Sequence, residues 1–520
     1  MKQSAIILLL SAICLPQASL AQDIVLTLDE AIQIALVENL SVERTRLDVD
    51  FGDAQVREGW GELFPSLDVS SSYTRNIKTA NPFAGSQAGG FFQSLGFIDW
   101  LAFNEQARTD GDPSSNPISV GEYFMRQQAG MDAAGISQDG GDNPFGVPNQ
   151  YMAGLSVTQK LFDGRVIFGA VGASRWLGPF NQAGLDRQQQ VVVHDVRRGF
   201  YGVLLATQQA EVAAQSVARA QRTLMEVSRQ VDEGVAPKFQ RLSAEVEVAN
   251  LESALVQSET ARDAALDNLK LLLGVPVSES IVLRGSLETD ADASLILSRG
   301  SDAASIALQK RPDLQQAKIG IELERIQLNV AKAEFLPTLD AFFNYSLVGN
   351  VPDNRSITVT SPTDPFSFST RNEGYFSDAY WDRTSSGGFR LSWNIFNGRS
   401  STQRLQQRKI AMRQAELDTE LLERSIVVEI DATLRDVRSA RIRLESQRRN
   451  VSRAELNFEY AEARLAEGVA SPLEVREASN QLDQTRLNYL QAVHDYLVAE
   501  SAYETALGQT PFEPTSSETP

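Results

Sequence analysis

Hydrophobic residues recur every seven positions along two long stretches of the chain. Ile430, Val437, Leu444, Val451, Phe458 and Leu465 keep the period in one; Val196, Val203, Ala210, Val217, Leu224 and Val231 keep it in the other. Three positions further on stand Ala440, Ala454 and Ala461, and Ala206, Ala213, Ala220 and Val227, with Gln447 the exception. A sustained seven-residue period winds helices into a left-handed supercoil, and small residues in the seam let backbones approach. No Pro or Gly occurs between Gly398 and Gly468, so that helix can run about 100 Å at 1.5 Å per residue. The other stretch holds Gly178 and Pro179 near its start, which predicts a kink close to the strand–helix junction. Each stretch stops at "EGVA", residues 233–236 and 467–470, and helical sequence then resumes. Gly234 and Gly468 suit the positive φ that ends a helix, and Pro237 and Pro472 suit the first turn of the returning one.

Elsewhere the period is two. Leu339, Ala341, Phe343, Tyr345 and Leu347 share one face of a strand over 339–347. Over 389–396, Phe389, Leu391, Trp393 and Ile395 face one way and Arg390, Ser392 and Asn394 the other. Segments 67–74 and 151–161 are weaker versions. Four strands, each feeding very long helices, argue against a compact sandwich and against a purely fibrous coiled coil.

The plan is written twice. "FPSLDVSSSYT" (64–74) matches "LPTLDAFFNYS" (336–346) at an offset of 272, as does "IAL" at 34–36 and 306–308. "LFDGR" (161–165) matches "IFNGR" (395–399) at an offset of 234, which then persists through both "EGVA" breaks to Gly274 and Gly508. Each half reads as helix, strand, loop, strand, long helix, break, helix. The first repeat covers 22–285 and the second 301–508, joined by a linker at 286–300; a tail follows at 509–520, its composition that of a disordered segment. The first half carries 38 extra residues between Tyr73 and Leu155. They fall in a connection over about 75–150, rich in Gly, Asn, Ser and Asp, whose shorter counterpart is 348–387. Its aromatics (Phe91, Phe92, Trp100, Phe103) and those of the counterpart (Tyr375, Phe376, Tyr380, Trp381) suit either a membrane girdle or packing within the loops.

The 520 residues carry 48 Lys and Arg against 67 Asp and Glu, a formal charge of −19, which argues against a nucleic-acid footprint. Lys2, the apolar run 5–15 and "SLA" at 19–21 form an export signal over 1–21, cleaved after Ala21. The sole cysteine, Cys14, lies inside that signal behind Ile13, where a lipoprotein signal wants a small residue. The mature chain therefore has no thiol for a disulfide or a metal. No apolar run is long enough for a transmembrane helix, which leaves a periplasmic, secreted or β-barrel protein.

Nothing points to catalysis. His194 and His494 sit on predicted helices away from clustered acids, and position 428, the repeat equivalent of His194, is Val. No phosphate loop, nucleophile elbow, zinc-binding HExxH or dinucleotide fingerprint occurs. No cofactor is expected.

The order of "LTLDEAIQIALVENL" (26–40), the paired "FPSLD" and "LPTLD", the paired "FDGR" and "FNGR" and the paired "EGVA" resembles the TolC-like outer membrane efflux protein family over almost the whole mature chain. The resemblance implies an α+β membrane protein. Three chains would share a 12-stranded outer-membrane β-barrel, four strands each, continued by a periplasmic α-helical barrel of coiled-coil helices. It implies a passive exit duct of a tripartite efflux or type I secretion system, docked by a periplasmic adaptor and powered by an inner-membrane pump. The "EGVA" breaks become periplasmic tips. The docking residues it suggests are Gln230, Val231, Gly234, Val235 and Ala236 on one tip. On the other they are Arg464, Leu465, Gly468, Val469, Ala470 and Ser471. Glu474 and Glu477 match the family's acidic pore constriction. Leu465, Ala470 and Gln240 depart from it, standing where a locking Tyr, Arg and Asp are found in better-known members. The competing reading is a non-transporting coiled-coil scaffold or adhesin at the surface or in the periplasm.

Overall fold

The computed structural model describes residues 24–77, 88–111, 115–135, 147–287, 302–467 and 469–509. The expected export signal, Gly468, nearly all of the expected 286–300 linker and the tail beyond Gln509 lie outside the described residues, as do the side chains of Phe91, Phe92 and Leu465. The chain divides into a helical unit (1–59, 168–332, 398–520) and a sheet unit (60–167, 333–397).

In the helical unit, β1 (Ile24–Leu26) leads into α1 (Leu28–Glu38) and α2 (Leu40–Gly61). After the sheet unit's first excursion come α5 (Gly172–Asp232), α6 (Lys238–Leu273) and β4 (Ile281–Leu283). Then follow α7 (Ala303–Lys310) and α8 (Pro312–Ala333) and, after the second excursion, α9 (Ser400–Ala466) and α10 (Pro472–Ala506). The 67 residues of α9 give about 100 Å of helix, as the uninterrupted heptads require. Hairpins α5–α6 and α9–α10 are joined by packing of α5 on α10. The heptad positions Val196, Val203, Ile430 and Val437 are buried, together with Phe200, Ile426, Val493 and Tyr496. Nearer the tips, Val231, Val451 and Phe458 are only half-buried. Helix α5 continues through Pro179; the irregularity expected there falls earlier, as a π-helical turn at Val166–Val171. A parallel β1–β4 pair, Ile24 opposite Ile281, was not visible in the period of either segment.

Two breaks in the short helices hold the long ones. Between α1 and α2, the Asn39 amide donates to the Leu272 carbonyl at 2.6 Å. Gly274 closes α6 at φ +78, so near Glu38 that an added Cβ would collide with the Glu38 carbonyl oxygen. Between α7 and α8 the corresponding residue is Arg311, with Gly508 at φ +72 against it. The Arg311 side chain, 3% exposed, pairs with Asp313 at 2.7 Å and with Glu429 of α9 at 2.5 Å. Arg187 of α5 adds a contact to Asp313 at 3.6 Å. One buried guanidinium thus ties α8 and α9 together, with α5 linked through the shared carboxylate.

The sheet unit holds β2 (Ser66–Arg75), α3 (Ala88–Thr109), α4 (Val120–Ala133) and β3 (Asn149–Phe162). It continues with β5 (Thr338–Val351), β6 (Ser356–Thr360), β7 (Phe368–Asn372) and β8 (Trp381–Ser392). The main sheet is antiparallel in the order β2–β3–β5–β8. Register puts Leu67, Val157, Phe343 and Gly387 in one row and Val69, Leu155, Tyr345 and Ser385 in the next, on one apolar face. The other face is polar and cross-bonded: Ser156 donates to Asn344 at 2.9 Å, and Ser346 and Thr384 hydroxyls meet at 2.6 Å. Strand β8 is displaced from the expected 389–396. Ser392 is opposite Thr338, and the preceding Pro337 has no N–H to continue the ladder. Trp393, Ile395 and Phe396 therefore lie beyond the strand, exposed.

The 75–150 connection, read as loop, contains two helices. Its Gly and Asn content masks an apolar, proline-free run at 88–109, and Ser119 caps α4 by accepting the Glu122 N–H at 3.2 Å. Phe366, from the β6–β7 turn, packs edge-on against Phe103 and Tyr123, each at 5.2 Å. Trp100 donates to the Ile118 carbonyl at 2.8 Å. Phe103 and Trp100 are thus loop packing, whereas Trp381 lies on the sheet.

The Arg311 cluster generates a pH prediction. Burial opposes the charge on Asp313, but the hydrogen bond from Arg311 and the charges of Arg187 and Arg311 outweigh it and hold the carboxyl below the usual range. The folded pKa is the lower one, so this stabilisation is complete above about pH 4 and lost as pH falls further. Asp313→Asn is expected to melt at lower temperature at pH 7 and to lose part of the wild-type decline in acid, as followed by circular dichroism.

Candidate functional site

The two helix-to-helix turns are built alike. At the first, Gly234 has φ +80. The N–H groups of Val235 and Ala236 both reach the Gln230 carbonyl, at 2.9 and 3.1 Å, and Gly234 N–H reaches Val231 at 3.1 Å. This is the six-to-one closure of a left-handed helix end, which needs a residue free to adopt positive φ. At the second turn, Val469 and Ala470 N–H groups reach the Arg464 carbonyl at the same 2.9 and 3.1 Å. Gly468, at the position equivalent to Gly234, and the Leu465 side chain are outside what is described.

The returning helices start differently. Pro472 occupies the first turn of α10 as expected. Pro237 does not; it is the N-cap residue of α6, at φ −79 and ψ 147, because Ser471 rather than Pro472 is its equivalent in the repeat. Ser471 caps α10: its hydroxyl accepts the Glu474 N–H at 3.3 Å, and the Glu474 carboxylate accepts the Ser471 N–H at 3.2 Å. The same carboxylate lies 3.5 Å from Arg464 across the turn. Glu474 therefore closes the tip as well as charging it. Glu477, one turn on, is exposed. Gln240 stands where Glu474 would, and α6 has no side-chain cap.

Of the docking residues suggested by the sequence, Val235 and Val469 are exposed, Gln230, Val231 and Ala236 are half-buried, and Ala470 is buried. Exposed apolar residues outside that set flank them: Phe239, Leu242 and Leu473. Their signal was available, since each follows the turn within two helical turns. Further along the hairpins, Arg219 of α5 pairs with Asp483 of α10. Ser216 also donates to Asp483, at 2.6 Å, and Arg219 donates to Ser479 at 3.2 Å. This polar clamp was illegible, because its partners are 264 residues apart. His194 contacts the Ser501 hydroxyl at 3.0 Å, and burial lowers its pKa. Among the described residues no group of three or more His, Cys, Asp or Glu could hold a metal ion.

A Cβ added at Gly234 meets nothing within 4 Å, so the demand there is conformational. Gly234→Ala is expected to lower stability by about 1 kcal/mol through the left-handed backbone alone, and Gly234→Asn by less, as measured by chemical denaturation.

A model of the outer membrane efflux protein family matches residues 127–275 and 303–509, more than half of the chain. The alkaline protease secretion protein AprF of Pseudomonas aeruginosa is 22% identical over 361 residues, 68% of each chain. The outer membrane protein TolC of Vibrio cholerae is 22% identical over 323 residues, 62% of this chain and 68% of its own. The Campylobacter jejuni CmeC outer membrane channel shares the fold with a TM-score of 0.66 at 14% identity, covering 92% of this chain and 85% of that one. No described helix is long and apolar enough to cross a membrane. The family is one of channels, not enzymes; this chain belongs to the outer membrane efflux protein family and resides in the outer membrane.

Proposed function

We propose that the chain is one third of a passive exit duct, in which three copies close a twelve-stranded barrel and their helices form a hollow periplasmic conduit. The observation that carries this is the sheet: four strands, apolar on one face and hydrogen-bonded polar on the other, with β2 and β8 each lacking a neighbour on one side among the described residues. Unpaired strand edges are untenable in lipid, and cyclic closure removes them while turning the polar face to the lumen. The relatives' names support a role in export, since AprF is a protease secretion protein and CmeC a channel.

In this reading the tips dock a periplasmic adaptor, which links the duct to an inner-membrane pump. The set suggested by the sequence (Gln230, Val231, Gly234, Val235 and Ala236 with Arg464, Leu465, Gly468, Val469, Ala470 and Ser471) is the contact surface, extended by Phe239, Leu242 and Leu473. Adaptor binding biases the tip helices between two packings. Glu474 and Glu477, repeated three times, form acidic rings that favour cations.

Two experiments test this. A photoreactive residue at Val469, which is more exposed than Ala470, is expected to capture a periplasmic adaptor in living cells. Capture of none, with trimers present in the outer membrane, would remove the docking role. The double variant Glu474→Gln, Glu477→Gln keeps the helix cap, because Gln also serves in a capping box. Its single-channel recordings are expected to show reduced cation selectivity; unchanged selectivity would dismiss the rings.

A further inference from the structure

One row of side chains crosses the whole sheet on its apolar face. Tyr73 is opposite Tyr151, Tyr151 opposite Gly349, and Gly349 opposite Trp381. The Trp381 ring lies over Gly349, where a Cβ would sit 2.8 Å from ring atoms. It stacks on Tyr151 at 5.7 Å, and Tyr151 stacks on Tyr73 at 4.8 Å. Strand β8 has 12 residues. At about 3.3 Å per residue and about 45° of tilt it spans about 28 Å, close to the apolar band of an outer-membrane barrel. Trp381 begins the strand and Trp393 follows it, which suits aromatic girdles at both interfaces.

The next row inward is Ser71, Ala153, Leu347 and Arg383. Arg383 is exposed and shares the face of the lipid-directed residues. None of the outward positions of β2, β3, β5 or β8 carries Asp or Glu. The other outward cation, Arg75, lies beyond the aromatic row and is held by Asp353, one contact being 2.8 Å. No partner is seen for the Arg383 guanidinium among the described residues. In the closed barrel β8 abuts the β2 edge of the next copy, whose outward residues (Leu67, Val69, Ser71, Tyr73, Arg75) bring no acid either.

A cation on a lipid face is costly at the membrane centre and tolerated near the interface, which its long stem can reach. Its counter-charge has to come from the membrane. Trp381 lies at the end where β2–β3 and β5–β8 are connected; the chain leaves for the long helices at the opposite end. In the duct reading, on which this inference rests, the Trp381 end faces the outer leaflet, which is built from phosphorylated glycolipid. We infer that Arg383 and the adjoining Trp381–Tyr151–Tyr73 row bind the phosphate and sugar headgroup of that glycolipid. Arg is suited to phosphate by its paired N–H donors, and aromatic rings suit the sugar faces.

The test uses the purified full-length trimer in detergent, with native mass spectrometry reading binding of diphosphorylated lipid A, of its dephosphorylated form, and of inorganic phosphate. The wild type is expected to bind the diphosphorylated lipid at least tenfold more tightly than Arg383→Gln does, with Arg383→Lys in between. Equal binding by wild type and Arg383→Gln overturns the proposal, as does equal binding of the dephosphorylated lipid. Displacement of the lipid by an equal concentration of inorganic phosphate would also overturn it, marking a free-anion site. Each preparation is checked for ion conductance in planar bilayers. Conducting trimers without the lipid difference sink this inference alone; preparations in which the chain never forms trimers sink the duct.

Discussion

An apolar sheet face asks for lipid, and a lone sheet in lipid asks for more strands. This conflict governs the structure. Among the described residues, strands β2 and β8 each offer a row of N–H and C=O groups with no neighbour on one side, and hydrocarbon supplies no substitute. Neither edge carries the usual protections of Pro or extreme shortness; the strands have 10 and 12 residues. The proposed sharing of one barrel among copies follows from this requirement. So does the alternation along each strand, because a closed barrel has one face in lipid and one in water.

The helical unit solves a different problem. Heptad seams of Val, Ile and Ala bury well but specify register weakly, since one small residue resembles the next. Polar fixtures supply what the seam lacks. Arg311 is held by carboxylates from α8 and α9, and Arg219 with Asp483, Ser216 and Ser479 joins α5 to α10. A partly or fully buried ion pair adds little net stability against an apolar alternative, but it penalises every arrangement in which its members are separated. Sliding one hairpin along the other breaks these bonds together. They therefore define the arrangement from which any movement of the tips would start.

At the tips, structural demands and the proposed docking role fall on the same residues. The shared carbonyl closure at Gln230 and Arg464 turns the chain sharply and leaves Val235 and Val469 exposed. Glu474 caps its own helix and faces Arg464, so its carboxylate serves the fold as well as any pore. Its presence accordingly points less to a constriction than that of Glu477, for which no such capping bond is seen among the described residues.

Periodicity alone determined the long helices and the presence of the four main strands, because each depends on contacts repeated at a fixed spacing along the chain. The "EGVA" turns were legible because a helix end demands a particular backbone conformation that few residues accept. The end of β8 was not, since it depends on where β5 begins, at Thr338 just after Pro337. Nor were α3 and α4, whose loop-like composition concealed an apolar helical run, or the parallel β1–β4 pair, each strand of which is three residues long. The Arg311 cluster, the Arg219–Asp483 clamp and the row from Tyr73 to Trp381 join residues far apart in the chain. Only tertiary structure could decide these, because a charge or a ring acquires its role from the partner that folding brings beside it.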